Sequence, residues 1–148
     1  TDFYTTTVPI SISHEQFIFA FYTTALFKLE RLLLSLAVSR SSTDEEVVAL
    51  AKGKSEKFAA WTVEERATNQ LLLCDFRGKT RSWLMVEKGS ETSAEGTIIF
   101  FGSAVVSGAS KRHPNKSHGI IFRMLLGFHK LYSVALLSRA AARLIKLS

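Results

Sequence analysis

Cysteine is nearly absent from this sequence. Its 148 residues include one, Cys74, which excludes an internal disulfide framework and fits a reducing compartment. Long apolar runs are also missing. The most apolar helical stretch, Phe17 to Val38, carries Lys28, Glu30 and Arg31 in its middle and makes a poor membrane span. The opening TDFYTTTVPI has neither the basic region nor the apolar core of a secretory signal. Together these absences lead us to expect a soluble, cytoplasmic protein.

Catalytic and metal signatures are equally scarce. The four histidines, His14, His113, His118 and His129, form no i,i+4 pair and have no cysteine nearby, so no zinc or other metal site is expected. There is no dinucleotide fingerprint and no nucleophile elbow, and no cofactor is expected. Gly53-Lys54-Ser55 has the ending of a phosphate loop, but the earlier glycine is missing and the tripeptide follows a helix.

Acid is lacking from one end. Residues 96–148 hold 8 Lys/Arg and no Asp or Glu, whereas residues 1–95 hold 11 basic and 13 acidic residues. Such asymmetry can mark a nucleic-acid or anionic-membrane partner. The basic residues are scattered over a loop (Lys111, Arg112, Lys116) and several helix faces, without aromatic interleaving on an exposed strand. Helix-turn-helix and zinc-finger patterns are absent as well. Nucleic acid is therefore not expected as a partner. Two readings stay open for the basic third: a solvated surface, or peripheral contact with an anionic membrane.

What is present is a single-domain length, 1–148, with enough apolar residues for one core. Residues 2–8 suit a first strand, closed by Pro9. Ser13 and Gln16 have capping-box spacing and start a helix that buries Phe17, Ile18, Phe21, Tyr22 and Ala25. The β-branched pair Thr23-Thr24 predicts a break. A second helix over 26–38 follows, with Leu29, Leu32, Leu33 and Leu36 inward. Thr43 and Glu46 repeat the capping box and open a short helix that Gly53 ends. From Phe58 the period becomes two, giving strands over 58–66, 70–77, 79–88 and 96–106 in an antiparallel meander. Arg77-Gly78-Lys79 marks a tight hairpin, and Gly102 suggests a bulge or bend within a strong strand.

The element that organises the rest is the last one, His118 to Leu147. It has no proline and one internal glycine, Gly127. At about 100° per residue, Ile121, Met124, Leu125, Phe128, Leu131, Tyr132, Ala135 and Leu136 share one face, with Arg123 and Lys130 opposite. Beyond Ser138 the pattern breaks. Arg139, Arg143 and Lys146 take the apolar side, while Leu137, Leu144 and Ile145 move round the back. This implies either a bend or a terminal stretch that runs past the sheet.

Strand, helices, antiparallel strands and a long C-terminal helix define an α+β order. It resembles the helix-grip fold of the START and birch-pollen-allergen-like superfamily, which also includes polyketide cyclases and aromatases. Within it, FYTTALFKLERLLL (21–34), TRSWLMVEKG (80–89), FFGSAVV (100–106) and LLGFHKLYSVALL (125–137) look like segments of an uncharacterised bacterial branch. The resemblance implies a curved antiparallel sheet wrapped around the C-terminal helix, with a ligand cavity between them. Five strands are counted here, where that family usually has six or seven.

Several residues could serve such a cavity. His129 and Tyr132, three apart on the last helix, either orient a ligand carbonyl or shuttle a proton, or else pack with their polar ends hydrogen-bonded. Arg81 and Trp83 share a strand face. The arginine either grips a carboxylate or phosphate in the cavity or lies in solvent. Met124, Phe128 and Tyr132 would line the helix side, with Trp61, Trp83, Phe101 and Leu84 as candidate walls. Cys74, alternating with Leu72 and Phe76, reads as a buried, inert thiol, and Asp75 as an exposed acid near a turn. The expected function is non-covalent binding of a small apolar or amphipathic molecule. The alternatives are a cyclase- or dehydratase-type enzyme using the same cavity, and a basic module that docks on membranes or partners. Oligomeric state is left open.

Overall fold

The computed structural model describes residues 2–38, 42–89, 96–105 and 116–147, with side chains over 33–38 and 116–129 and those of Glu30 and Val105 excluded. In chain order the elements are β1 (Asp2–Val8), α1 (His14–Tyr22), α2 (Ala25–Val38), α3 (Asp44–Ala51), β2 (Lys57–Phe58), β3 (Trp61–Ala67), β4 (Gln70–Asp75), β5 (Thr80–Lys88), β6 (Thr97–Val105) and α4 (Lys116–Leu147). The strands form one antiparallel sheet of order β1-β6-β5-β4-β3-β2, curved and unclosed, and α4 packs against it along β1 and β6. This is the α+β helix-grip arrangement that the element order predicts. The strand count is six rather than five. The expected strand from Phe58 is divided at Ala59, whose φ of 52° lies in the left-handed region, so Phe58 pairs back onto Trp61.

Local chemistry explains the helix boundaries. Ser13 Oγ accepts from the Gln16 amide at 3.1 Å, and Gln16 Oε1 accepts from the Ser13 amide at 2.7 Å. Thr43 and Glu46 build the same reciprocal box for α3. The break after Tyr22 arises less from β-branching than from capping. Thr24 Oγ1 donates to the Phe21 carbonyl and accepts the Phe27 amide at 3.2 Å, so it ends α1 and starts α2. As the first residue of the new helix, Ala25 is exposed, contrary to the expected burial.

The inner face of α2 differs from expectation at the positions described, while the expected Leu33 and Leu36 lie outside the described side chains. Leu29 and Leu32 are 53% and 56% exposed, while Phe27 and Arg31 are buried. Arg31 lies over the Phe58 ring at 5.6 Å. It donates from Nε to Ser42 Oγ at 2.8 Å, from Nη2 to the Ser42 carbonyl, and from Nη1 to Asp44 Oδ1 at 2.7 Å. A charge can be buried when all its donors find acceptors. A pattern of apolar letters does not reveal that.

The inner sheet face carries Val8, Leu71, Leu73, Leu84, Val86, Ile99 and Phe101, which pack with Phe17, Ile18 and Phe21 of α1. Thr97, also inward, accepts the Ile12 amide at 3.0 Å and donates to the Ile10 carbonyl at 2.9 Å, so it pins the connection from β1 to α1. Among the described residues the sheet's register shifts between Val63 and Glu65, in β3, and not at Gly102. There the register of β6 with both neighbours is unbroken. Gly102 is needed because a Cβ would stand 3.0 Å from the Trp83 ring.

Helix α4 runs without a break through Ser138. Among its described side chains, 130–147, the buried ones are Ser133, Leu136, Leu137, Ala140 and Leu144, and Leu131 is 74% exposed. Over these turns Leu136 is inward as expected but Leu131 is not, and Ile121, Met124, Leu125 and Phe128 lie outside the described side chains. Leu137 and Leu144, assigned to the back, are the core, because α4 wedges between β1 and α1 rather than lying flat on the sheet. No helix among the described residues is long and apolar enough to cross a membrane.

Candidate functional site

A cavity of about 290 Å³ lies between the inner sheet face and the helices. Its origin is a level of small side chains. Ser82 of β5 pairs across the sheet with Ser103 of β6, and both point inward. Ser133 of α4 and Ala60, just before β3, also contribute to the wall. One rung along the sheet, Leu84 and Phe101 fill the equivalent space. Four small residues at one level leave a volume that the surrounding rings bound but do not occupy.

Aromatic side chains make most of the remaining wall: Phe21, Phe27, Trp61, Phe76, Phe101 and Tyr132. They are interlocked with the core. Phe21 meets Phe101 at a centroid distance of 4.8 Å and Phe27 at 6.1 Å, and Phe27 packs edge-on against Tyr22 at 4.7 Å. Phe76, 46% exposed with the Arg77 guanidinium over its ring at 5.1 Å, stands at the rim. The volume is near the lower end of the range for small-molecule sites, about 300–1,000 Å³.

The polar part of the lining is mostly hydroxyl: Thr80, Ser82, Ser103, Tyr132 and Ser133. Tyr22 Oη approaches Ser82 Oγ at 3.4 Å from behind the wall. Among the described lining residues Asp75 is the single acid, and there is no Lys, Arg or His. Asp75 Oδ1 is already used, accepting the Lys79 amide at 2.7 Å and the Thr80 amide at 3.1 Å to fold the turn between β4 and β5. The indole Nε1–H of Trp61 is buried and has no acceptor among the described residues.

Of the residues expected at a ligand site, Tyr132 lines the cavity, as do the wall candidates Trp61 and Phe101. Leu84 is wholly buried in the core, next to the cavity rather than on its lining. Met124, Phe128 and His129 lie outside the residues whose side chains are described. Arg81 and Trp83 sit on the opposite face of the sheet, because in β5 it is Ser82, Leu84 and Val86 that turn inward. There Arg81 makes a bidentate pair with Glu64, at 2.9 and 3.1 Å, and donates to the Gly78 carbonyl at 2.8 Å. Its donors are committed to the protein. Trp83 stacks on Phe3 at 5.7 Å and donates to Gln70 Oε1 at 3.1 Å.

Cys74 shares that outer face and is half-buried. Leu71 and Leu73, not Leu72 and Cys74, are the inward residues of β4. Asp75 is near a turn, as expected, but only part-exposed. No group of three or more metal-ligating side chains occurs among the described residues. The sequence reading missed Ser82, Ser103 and Ser133. A signal was present, since serine occupies single inward positions of the alternating strands Ser82-Leu84-Val86 and Ile99-Phe101-Ser103.

No family model matches the chain, and neither a curated protein nor a solved structure gives a significant match.

Proposed function

We propose that this protein binds a small apolar or amphipathic molecule without covalent chemistry, in the cavity between the sheet and the helices. The observation that carries the proposal is a pocket of about 290 Å³ walled by aromatic rings and a few hydroxyls, reaching from a rim at Phe76 to the hydrophobic core. Small-molecule sites are concave and mostly apolar, with a few polar groups that fix orientation. A ligand that fills it gains roughly 25 cal/mol per Å² of apolar surface removed from water. The strand order and C-terminal helix are compatible with the helix-grip fold of the START and birch-pollen-allergen-like superfamily, and that compatibility supports the reading. Its lone, half-buried cysteine fits a cytoplasmic setting. A cyclase or dehydratase would want a free acid or base on the wall. Asp75 is the one carboxylate among the described lining residues, and it holds a turn; binding is the reading we propose, with turnover in the same cavity as the alternative.

Native mass spectrometry of protein purified without detergent tests this reading. We expect a discrete added mass that disappears on denaturation and is absent from a Ser103→Leu variant, whose side chain would fill the cavity. A bare protein mass, together with failure of neutral naphthalene probes to bind at low or high salt, would overturn it. Binding to anionic vesicles that weakens steeply with salt would then favour the basic membrane-surface alternative.

A further inference from the structure

We infer that the outer face of α4 docks on an anionic lipid surface and lies in its headgroup layer. The inference concerns the side of the helix turned away from the core and stands apart from the cavity-binding reading. Over 130–147 the core side of α4 is held by Ser133, Leu136, Leu137, Ala140 and Leu144. On the opposite side Leu131, Val134 and Ile145 are 74%, 51% and 49% exposed, with Ser138 and Ala142 exposed between them. At about 100° per residue these five fall within an arc of roughly 80°. A surface helix ordinarily turns charged and polar residues to water on that side. An aliphatic stripe in their place marks a contact surface.

Charge selects what covers the stripe. By the same periodicity Lys130 borders it on one side, and Arg139 and Lys146 on the other. Lys130 is paired with Asp2 at 3.5 Å, whereas Arg139 and Lys146 make no ion pair among the described residues. Residues 96–148 contain no acid. A second copy of this face would therefore bring like charges together, with no carboxylate on either helix to pair them. A nucleic-acid backbone would use the cations and make no use of the aliphatic stripe. Protein partners commonly anchor on a large side chain at the centre of the contact, and the centre here is Ser138 and Ala142. A bilayer interface uses both features. The aliphatic groups enter the acyl boundary shallowly, while the flanking Lys and Arg stems extend their charges to the lipid phosphates.

Cosedimentation of the full chain with vesicles tests this, using equal parts phosphatidylserine and phosphatidylcholine, or phosphatidylcholine alone. We expect binding to the mixed vesicles that falls as salt is raised, and far weaker binding to phosphatidylcholine alone. Arg139→Gln together with Lys146→Gln should weaken binding about 25-fold, or about fivefold for each cation near the surface. Leu131→Gln together with Ile145→Gln should weaken it about tenfold without changing the salt dependence. Lys52→Gln together with Lys54→Gln removes the same charge from exposed positions at the end of α3. That pair should change binding by about twofold at most. Circular dichroism checks the fold of each variant, and where a pair unfolds its single substitutions carry the comparison.

No binding to the mixed vesicles at low salt, binding indifferent to Leu131 and Ile145, or an equal loss from the Lys52 and Lys54 pair would each overturn the inference. Binding to soluble polyglutamate as tight as to the vesicles would overturn it in favour of an acidic protein partner. Each of these results leaves cavity binding intact.

Discussion

Arg31 offers a direct way to ask whether the cavity depends on the latch between α2 and α3. It is 7% exposed, and its guanidinium lies over the Phe58 ring and donates to Ser42 and Asp44. Phe58 stacks in turn on Phe27 at 6.3 Å, and Phe27 forms part of the cavity wall. Replacing Arg31 with Met keeps most of the apolar stem and removes every donor. The Ser42 carbonyl and hydroxyl then lose a charged partner, worth about 1.5–3 kcal/mol for hydrogen bonds of this kind. Loss of the contact over Phe58 adds about 0.5–1 kcal/mol. The Asp44 pairing contributes less, since that carboxylate is 38% exposed and also bound by Lys28 at 2.5 Å. The sum is a loss of about 2–4 kcal/mol, or roughly 5–15 °C in Tm for a chain of this size. Arg31→Lys should recover only part of it, because an ammonium cannot reproduce the fork. Urea denaturation followed by circular dichroism gives the stability. Affinity for 2-acetylnaphthalene gives the cavity. We expect binding to weaken in Arg31→Met while the fold persists at low denaturant. An Arg31→Met protein within about 0.5 kcal/mol of the original would show that the polar latch is replaceable by packing, as some buried ion pairs are, and would refute the reasoning.

Three further tests address other parts of the molecule. Gly102→Val should cost about 1–3 kcal/mol by crowding the Trp83 ring. The loss should shrink in the background of Trp83→Ala, as a double-mutant cycle by chemical denaturation would report. Leu131→Gln should change stability by under about 0.5 kcal/mol, whereas Leu137→Ala should cost about 2–5 kcal/mol, because 74% of Leu131 is exposed and only 3% of Leu137. Equal losses would return the core stripe to the face that periodicity suggests. Finally, burial holds the imidazole of His14 below its ordinary pKa, with Arg66 adding to the effect and the contact with the Leu84 carbonyl opposing it. The folded value is the depressed one. Below about pH 6.5 the unfolded chain takes up a proton that the folded chain refuses, so stability declines as pH falls through that window. A His14→Gln variant should show a shallower decline there. An unchanged slope would remove His14 as its source.

Much of this architecture is written locally. Ser13 with Gln16 and Thr43 with Glu46 are reciprocal caps that need only four consecutive residues, so two helix starts were legible without any tertiary information. The hairpin at Gly78, with φ of 67°, follows from the one residue type that adopts that conformation freely. Strand periodicity gave the element order, while the helix-grip arrangement and a cavity beside the last helix followed from what that order resembles.

Which face of each element looks inward was a different kind of question. In β5 both faces carry apolar groups, and the choice of Ser82 over Trp83 as the inward residue depends on pairing with Ser103 and on Phe3 and Phe100 sheltering the tryptophan outside. Arg31 is buried only because Ser42 and Asp44 reach it from beyond the end of its helix. Leu137 replaces Leu131 in the core because α4 meets both β1 and α1, a contact that no single helix can encode. The cavity has the same origin. It is a shortage of side-chain volume summed over Ser82, Ser103, Ser133 and Ala60, residues on separate elements that are unremarked singly in the sequence. Local hydrogen bonding and periodicity therefore determine what forms and in what order. The packing of one element on another decides which side chains are core, which are surface, and where space is left.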